Sequence, residues 1–235
     1  MAGFPEGTPP SSVFRMSKKT VERLPWFYYT GRWLVRRLLS LTRFELEGIE
    51  NVPAVGPLII ASNHLGLADP PILGAVIPRE IVFMAKEELF RYGPLVSYFV
   101  RSYGAFPVKR GRPAVRAVRE ALDVLSKDKA IVIFPEGQRS RTGKLKEPFP
   151  GAAAIALASG APVLPVGISG TEVMDKFYWV FRRPRVRVNI GRPFYPGRTG
   201  QPGKLELRAV TDDIMERIAR LLPEQYRGKY GRDTV

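Results

Sequence analysis

The sequence predicts an α/β fold, with a mixed, mainly parallel sheet flanked by helices and preceded by an amphipathic helical appendage. Three observations carry this expectation. Short apolar runs of strand length recur between residues 57 and 168, rich in β-branched and aromatic side chains. Segments of helical periodicity lie between them, an alternation that buries both faces of a sheet under helices and makes neighbouring strands parallel. Near residue 44 a basic, aromatic stretch gives way to that alternation.

In chain order, "MAGFPEGTPPSS" is Pro/Gly-rich and lacks the basic-then-apolar order of a signal peptide. Residues 1–14 are therefore expected to be a disordered lead. Residues 15–43 carry eight Lys/Arg and one acidic residue, Glu22. Wound as a helix, residues 24–44 gather Phe27, Leu34, Val35, Leu38, Leu39 and Leu41 in one arc. Arg32, Arg36 and Arg43 fall opposite, with Trp26 and Trp33 near the boundary. Such a helix either packs its apolar face on a core or lies in a membrane interface.

The expected strands are "PLIIAS" (57–62), "EIVFMA" (80–85), "AFPVK" (105–109), "AIVIF" (130–134) and "PVLPVGI" (162–168). Residues 112–128 read as a helix with Val115, Val118, Leu122 and Leu125 on one face. Residues 151–160 read as a short helix whose small side chains allow close packing on a sheet. "RVRVNIG" (185–191) alternates with period 2 and is expected to be an edge strand. Thr211 is placed as the cap of a last helix, 212–222, closed by Pro223. Residues 44–235 thus form one domain.

Composition narrows the function classes. A hydrophobic content of 45% excludes disorder over most of the chain. With no cysteine, disulfides, thiolate zinc sites and a cysteine nucleophile are excluded together. No run of about 20 apolar residues is present, so no ordinary transmembrane helix is expected. The 37 Lys+Arg against 22 Asp+Glu leave a net charge of +15, which favours an anionic partner: nucleic acid, acidic lipid or an acidic carrier protein. The basic residues are spread over many strand ends, and no nucleic-acid-binding signature appears, so nucleic acid is the weakest of these.

The chemistry gathers at strand ends. His64, the chain's one histidine, follows the strand "PLIIAS", at the edge where open α/β sheets place their ligands. Asp69 lies five residues on, before Pro70 and Pro71, in an arrangement that reads as a helix N-cap. A carboxylate within reach of one imidazole nitrogen fixes the tautomer and leaves the other nitrogen free to take a proton from a hydroxyl. One histidine rules out a multi-histidine metal site, and no metal is expected. A second strand ends in "FPEGQRS", presenting Glu136, Gly137 and Arg139, and a third ends in Lys109 and Arg110. Guanidiniums beside a glycine at such an edge suit a phosphate.

"NHLGLAD", "FPVKR", "FPEGQRS" and "VLPVGI" occur in an order and at a spacing that resemble the four motifs of the glycerolipid acyltransferases. The resemblance covers about residues 44–195 and makes 44–235 an acyltransferase domain. It implies transfer of a fatty acyl group from a thioester, acyl-CoA or acyl-carrier protein, to the 2-hydroxyl of lysophosphatidate. Glycerol-3-phosphate, another lysophospholipid or another alcohol are alternative acceptors, and a basic nucleic-acid-binding module is the remote alternative. His64 would be the general base, with Asp69 orienting it. Arg110 and Arg139 would bind the acceptor phosphate, Glu136 and Gly137 would shape its site, and Lys109 would add a phosphate or oxyanion contact. Pro165 would be architectural. No cofactor is implied, because the acyl carrier is a substrate. The sequence departs from the usual pattern at Gly66, where serine is common, at Lys109, where an acid is common, and at Gln138, where threonine is common. Lipid substrates favour the interfacial reading of the appendage, residues 15–43, as a membrane-binding segment on anionic lipid. The implied location is peripheral or monotopic at the cytoplasmic face of the cell membrane.

Overall fold

The computed structural model of the chain describes residues 26–86, 106–108, 114–175, 178–199 and 202–231. The expected disordered lead, together with Lys109 and Arg110, lies outside the described residues. The strands are β1 (Arg43–Glu47), β2 (Leu58–Ser62), β3 (Ile81–Lys86), β4 (Phe106–Val108), β5 (Ala130–Ile133), β6 (Val163–Ser169) and β7 (Arg185–Ile190). The α-helices among the described residues are α1 (Trp26–Leu39), α2 (Asp69–Val76), α3 (Ala114–Ser126), α4 (Gly151–Ser159), α5 (Trp179–Arg182) and α6 (Lys204–Arg220).

These strands form one sheet in the order β1-β7-β6-β2-β5-β3-β4. Every neighbouring pair is parallel except β6 and β7. The central strands β2, β5 and β6 are buried along their whole length, which is why they read as continuous apolar runs without a polar face. Alternation along β2 splits the core. Leu58 and Ile60 face the layer of α2, with Ile72, Leu73 and Val76. Ile59 and Ala61 face the layer of α3, α4 and α6, with Leu125, Ile155, Ile214 and Ile218. Burying each such aliphatic side chain contributes about 1.5–3 kcal/mol.

The expected strands and the first two expected helices of the domain are present, with ends shifted by a few residues. Three expectations need correction. The strand 185–191 is not an edge strand: β1, which the sequence pattern did not reveal, pairs with it in parallel and takes the edge. Glu45 of β1 reaches both Arg185 and Arg187, so the polar face of β7 is matched by its neighbour. Thr211 is not a cap. It lies inside α6, buried, with its hydroxyl donating to the Leu207 carbonyl at 2.6 Å, because the helix begins seven residues earlier at Lys204. Leu207 and Val210 pack on the same core as Ile214 and carry the apolar stripe back past Thr211.

The third correction concerns α1. Arg32 and Arg36 do not face away from the protein. Arg32 donates to the carbonyls of Ala75, Ile77 and Arg79, and Arg36 Nε donates to the Ala75 carbonyl at 2.9 Å. The end of a helix leaves carbonyls without intrahelical donors, and its partial negative charge attracts a guanidinium. Tyr28 and Leu39 are buried beside this clamp, while Tyr29, Trp33, Leu34 and Leu38 are exposed. The arginines thus mark the docking face, and much of the apolar arc points outward. Arg32→Ala is expected to cost about 1–2 kcal/mol of stability and to speed hydrogen exchange at α1 amides more than at β2 amides. Equal exchange in both elements would show that α1 is not held by this clamp.

Candidate active site

Because β2, β5 and β6 are parallel, their C-terminal ends lie along one edge of the sheet. Asn63 leaves β2 buried, and its amide pairs with both backbone groups of Ile168, donating to the carbonyl and accepting the N–H, each at 2.8 Å. This side chain carries the β2–β6 ladder one residue further and fixes where His64 begins.

Both backbone groups of His64 are then gripped by the turn after β5. Glu136 Oε1 accepts the His64 N–H at 3.0 Å, and the Ser140 N–H donates to the His64 carbonyl at 2.7 Å. Glu136 Oε2 accepts the Lys146 N–H at 3.0 Å. Glu136 is 1% exposed, so it shapes the site by holding two backbone segments together rather than by facing a ligand. Burial pushes its carboxyl above the usual range, and the two N–H donors pull it part of the way back. Gly137 turns the chain at a φ of +65°, a left-handed conformation that favours glycine, and a Cβ there would meet the Phe149 ring at 3.0 Å.

The His64 ring stacks on Phe134, with centroids 4.2 Å apart and an interplanar angle of 22°. Its Nδ1 lies 2.7 Å from Asp69 Oδ2, and the ring keeps 17% exposure. The other nitrogen, Nε2, is therefore the one left to act on a ligand. Asp69 is the first residue of α2, where Pro70 and Pro71 fit because first-turn N–H groups need no intrahelical acceptor. The expected N-cap is corrected here: Ala68 holds that position, and the Asp69 carboxylate turns back to its own loop. Oδ2 also accepts the N–H groups of Leu65 at 2.6 Å and Gly66 at 2.9 Å, and the Thr171 hydroxyl donates to Oδ1. Asp69 is fully buried.

The turn after β6, Thr171–Asp175, closes the site from a third side. Asp175 Oδ1 accepts the Leu67 N–H at 2.8 Å, and its Oδ2 pairs with Arg139 Nη1 at 2.6 Å. Arg139 stays 40% exposed and, through Asp175, is tied to the loop that carries His64. The structure thus brings together His64, Asp69, Glu136, Gly137 and Arg139. Thr171 and Asp175 have structural parts that no motif announced, and Asn63, the first residue of "NHLGLAD", receives no role from the sequence alone. The one cue was Gly170-Thr171, standing directly after a buried strand. Among the described residues no cluster of His, Cys, Asp or Glu has a metal-holding arrangement. What the site can do chemically is take a proton at Nε2, the nitrogen that Asp69 leaves unengaged.

A family model described as Acyltransferase matches residues 43–169. A 1-acyl-sn-glycerol-3-phosphate acyltransferase of Bacillus subtilis is 31% identical over 175 residues, covering 73% of this chain and 84% of that protein. A lyso-ornithine lipid O-acyltransferase of Pseudomonas aeruginosa is 31% identical over 139 residues, covering 59% and 52%. The crystal structure of a 1-acyl-sn-glycerophosphate acyltransferase from Thermotoga maritima matches with a TM-score of 0.63 and 28% identity, over 83% of this chain and 79% of that one. The family model takes in β1 through the end of β6, and with them both His64 and Asp69. This chain is therefore an enzyme of the acyltransferase family.

Proposed function

We propose that this enzyme transfers a fatty acyl group from a thioester donor, acyl-CoA or acyl-carrier protein, to the 2-hydroxyl of lysophosphatidate. The product is phosphatidate, for phospholipid synthesis. The observation that carries the reading is the buried Asp69 carboxylate on His64 Nδ1, which leaves Nε2 unengaged by Asp69 on a ring that keeps 17% exposure. The names of the relatives support the acceptor.

In this reading the acceptor hydroxyl adds to the thioester carbonyl while His64 Nε2 takes its proton. The tetrahedral intermediate collapses, the C–S bond breaks, and the imidazolium returns the proton to the leaving thiolate. Asp69 stabilises the imidazolium in between. Arg139 holds the acceptor phosphate, and Lys109 and Arg110, which lie outside the described residues, are proposed to join it. No metal or cofactor enters these steps.

Purified enzyme should convert lysophosphatidate to phosphatidate with at least one thioester, read by mass spectrometry across acyl-CoA and acyl-carrier donors. Acceptors in the same panel should include glycerol-3-phosphate and a lyso-ornithine lipid. A preference for either over lysophosphatidate would replace the acceptor and leave the base chemistry standing. His64→Ala should slow turnover roughly 10²–10⁴-fold with the fold intact, and Asp69→Asn should also be severe. Wild-type turnover in His64→Ala would refute the general-base role.

Arg139→Ala should raise the acceptor KM roughly 10–100-fold while the donor KM moves little, with partial recovery in Arg139→Lys because the planar fork is lost. Equal changes for both substrates would assign Arg139 to holding Asp175 instead.

No described helix is long and apolar enough to cross a membrane. The exposed side chains of α1, Trp33 at 59% and Leu34 at 47% among them, support attachment to a lipid surface. The full chain should sediment with anionic liposomes, with partial release by high salt and complete release by detergent. Trp33→Glu with Leu38→Glu should abolish sedimentation while leaving the clamped face of α1 untouched. Unchanged sedimentation would move the attachment elsewhere.

A further inference from the structure

We propose that Thr171 is a positioning residue for acyl transfer, its hydroxyl holding the Asp69 carboxylate in the orientation that fixes the His64 ring. The proposal rests on the general-base reading of His64. Asp69 is 0% exposed, so its oxygens depend on donors supplied by the protein. Oδ2 accepts from His64 Nδ1 and from the N–H groups of Leu65 and Gly66. Among the described residues, Oδ1 accepts from the Thr171 hydroxyl alone. Thr171 is itself 0% exposed, so bulk water does not compete for either partner.

The origin of these donors matters as much as their number. Three of them belong to residues 64–66, the loop that carries the base, and they move with it. A carboxylate held only through Oδ2 can still swing about its Cβ–Cγ bond together with the ring it orients. Thr171 comes from outside that loop, two residues past the end of β6, so its bond ties the dyad to the sheet.

The approach of this turn is close. A Cβ on Gly66 would lie 2.8 Å from the Thr171 carbonyl oxygen and 3.2 Å from Asp175 Oδ1. The missing side chain of Gly66 is the clearance that lets the Thr171 turn approach Asp69.

His64 is the chain's one histidine, so ¹⁵N-histidine labelling of the full chain reports this ring alone. At a pH where the ring is neutral, the wild-type spectrum should show Nδ1 protonated and Nε2 bare. Thr171→Val removes the hydroxyl at nearly constant volume. It should give a mixture of both tautomers and lower kcat about tenfold with both KM values little changed, the effect of leaving one buried acceptor unpaired. Thr171→Ser should restore the single tautomer and bring kcat back to within about twofold of wild type. Gly66→Ala, which displaces the turn and keeps the hydroxyl, should reproduce the mixture and decides the matter if Thr171→Val does not fold. A folded Thr171→Val enzyme with the wild-type tautomer overturns the proposal, whatever its kcat. The tautomer is read without turnover, so this failure is distinct from failure of the general-base reading, which would show as an active His64→Ala enzyme.

Discussion

A carboxylate taken wholly out of water is the constraint around which the site is built. Removing a charge from solvent costs several kcal/mol unless hydrogen bonds replace the lost hydration, and Asp69 has four such donors. Meeting that demand needs three separate pieces of chain at one point. The loop after β2 supplies the imidazole and two backbone amides, α2 supplies the carboxylate, and the turn after β6 supplies a hydroxyl. The folded arrangement of these segments and the chemistry of the dyad are therefore not independent.

The same logic recurs one step out. Glu136 is buried for a backbone purpose, joining His64 to Lys146, and Ser140 returns the contact through its own N–H. Charged and polar groups at this edge fall into two kinds. Some are buried and fully engaged, and they hold backbone in place. Arg139 is partly exposed and paired with Asp175, which is itself partly exposed. Buried groups with fixed partners give the site its shape, and the proposed phosphate contact falls to the one that stays partly in solvent.

The α1 helix shows how one residue pattern can be read in two directions. An apolar arc opposite arginines is the usual sign of a helix with its cations in water or among headgroups. Here the exposed ends of another helix's carbonyls were the stronger attraction for Arg32, since each unpaired carbonyl is an acceptor in need of a donor. The apolar side chains left outside are those that nothing in the described residues covers. The docking surface and the outward surface are thus assigned by contact with α2, not by the helix's own amphipathicity.

What could be read from the residues alone followed local rules. The buried central strands, the helix at 114–126, the small-residue helix at 151–159 and the placement of His64, Glu136 and Arg139 at strand ends all rest on periodicities and spacings within one segment. The pairing of the one histidine with the aspartate five residues on is likewise local, and the structure places them 2.7 Å apart. What only the tertiary structure decided are relations between segments distant in sequence. β1 against β7 spans more than 130 residues, and Thr171 against Asp69 spans 102. No periodicity records such partners. They are selected when buried polar groups and unpaired strand edges are brought together by packing, and each settles on the donor or acceptor that the fold places within reach.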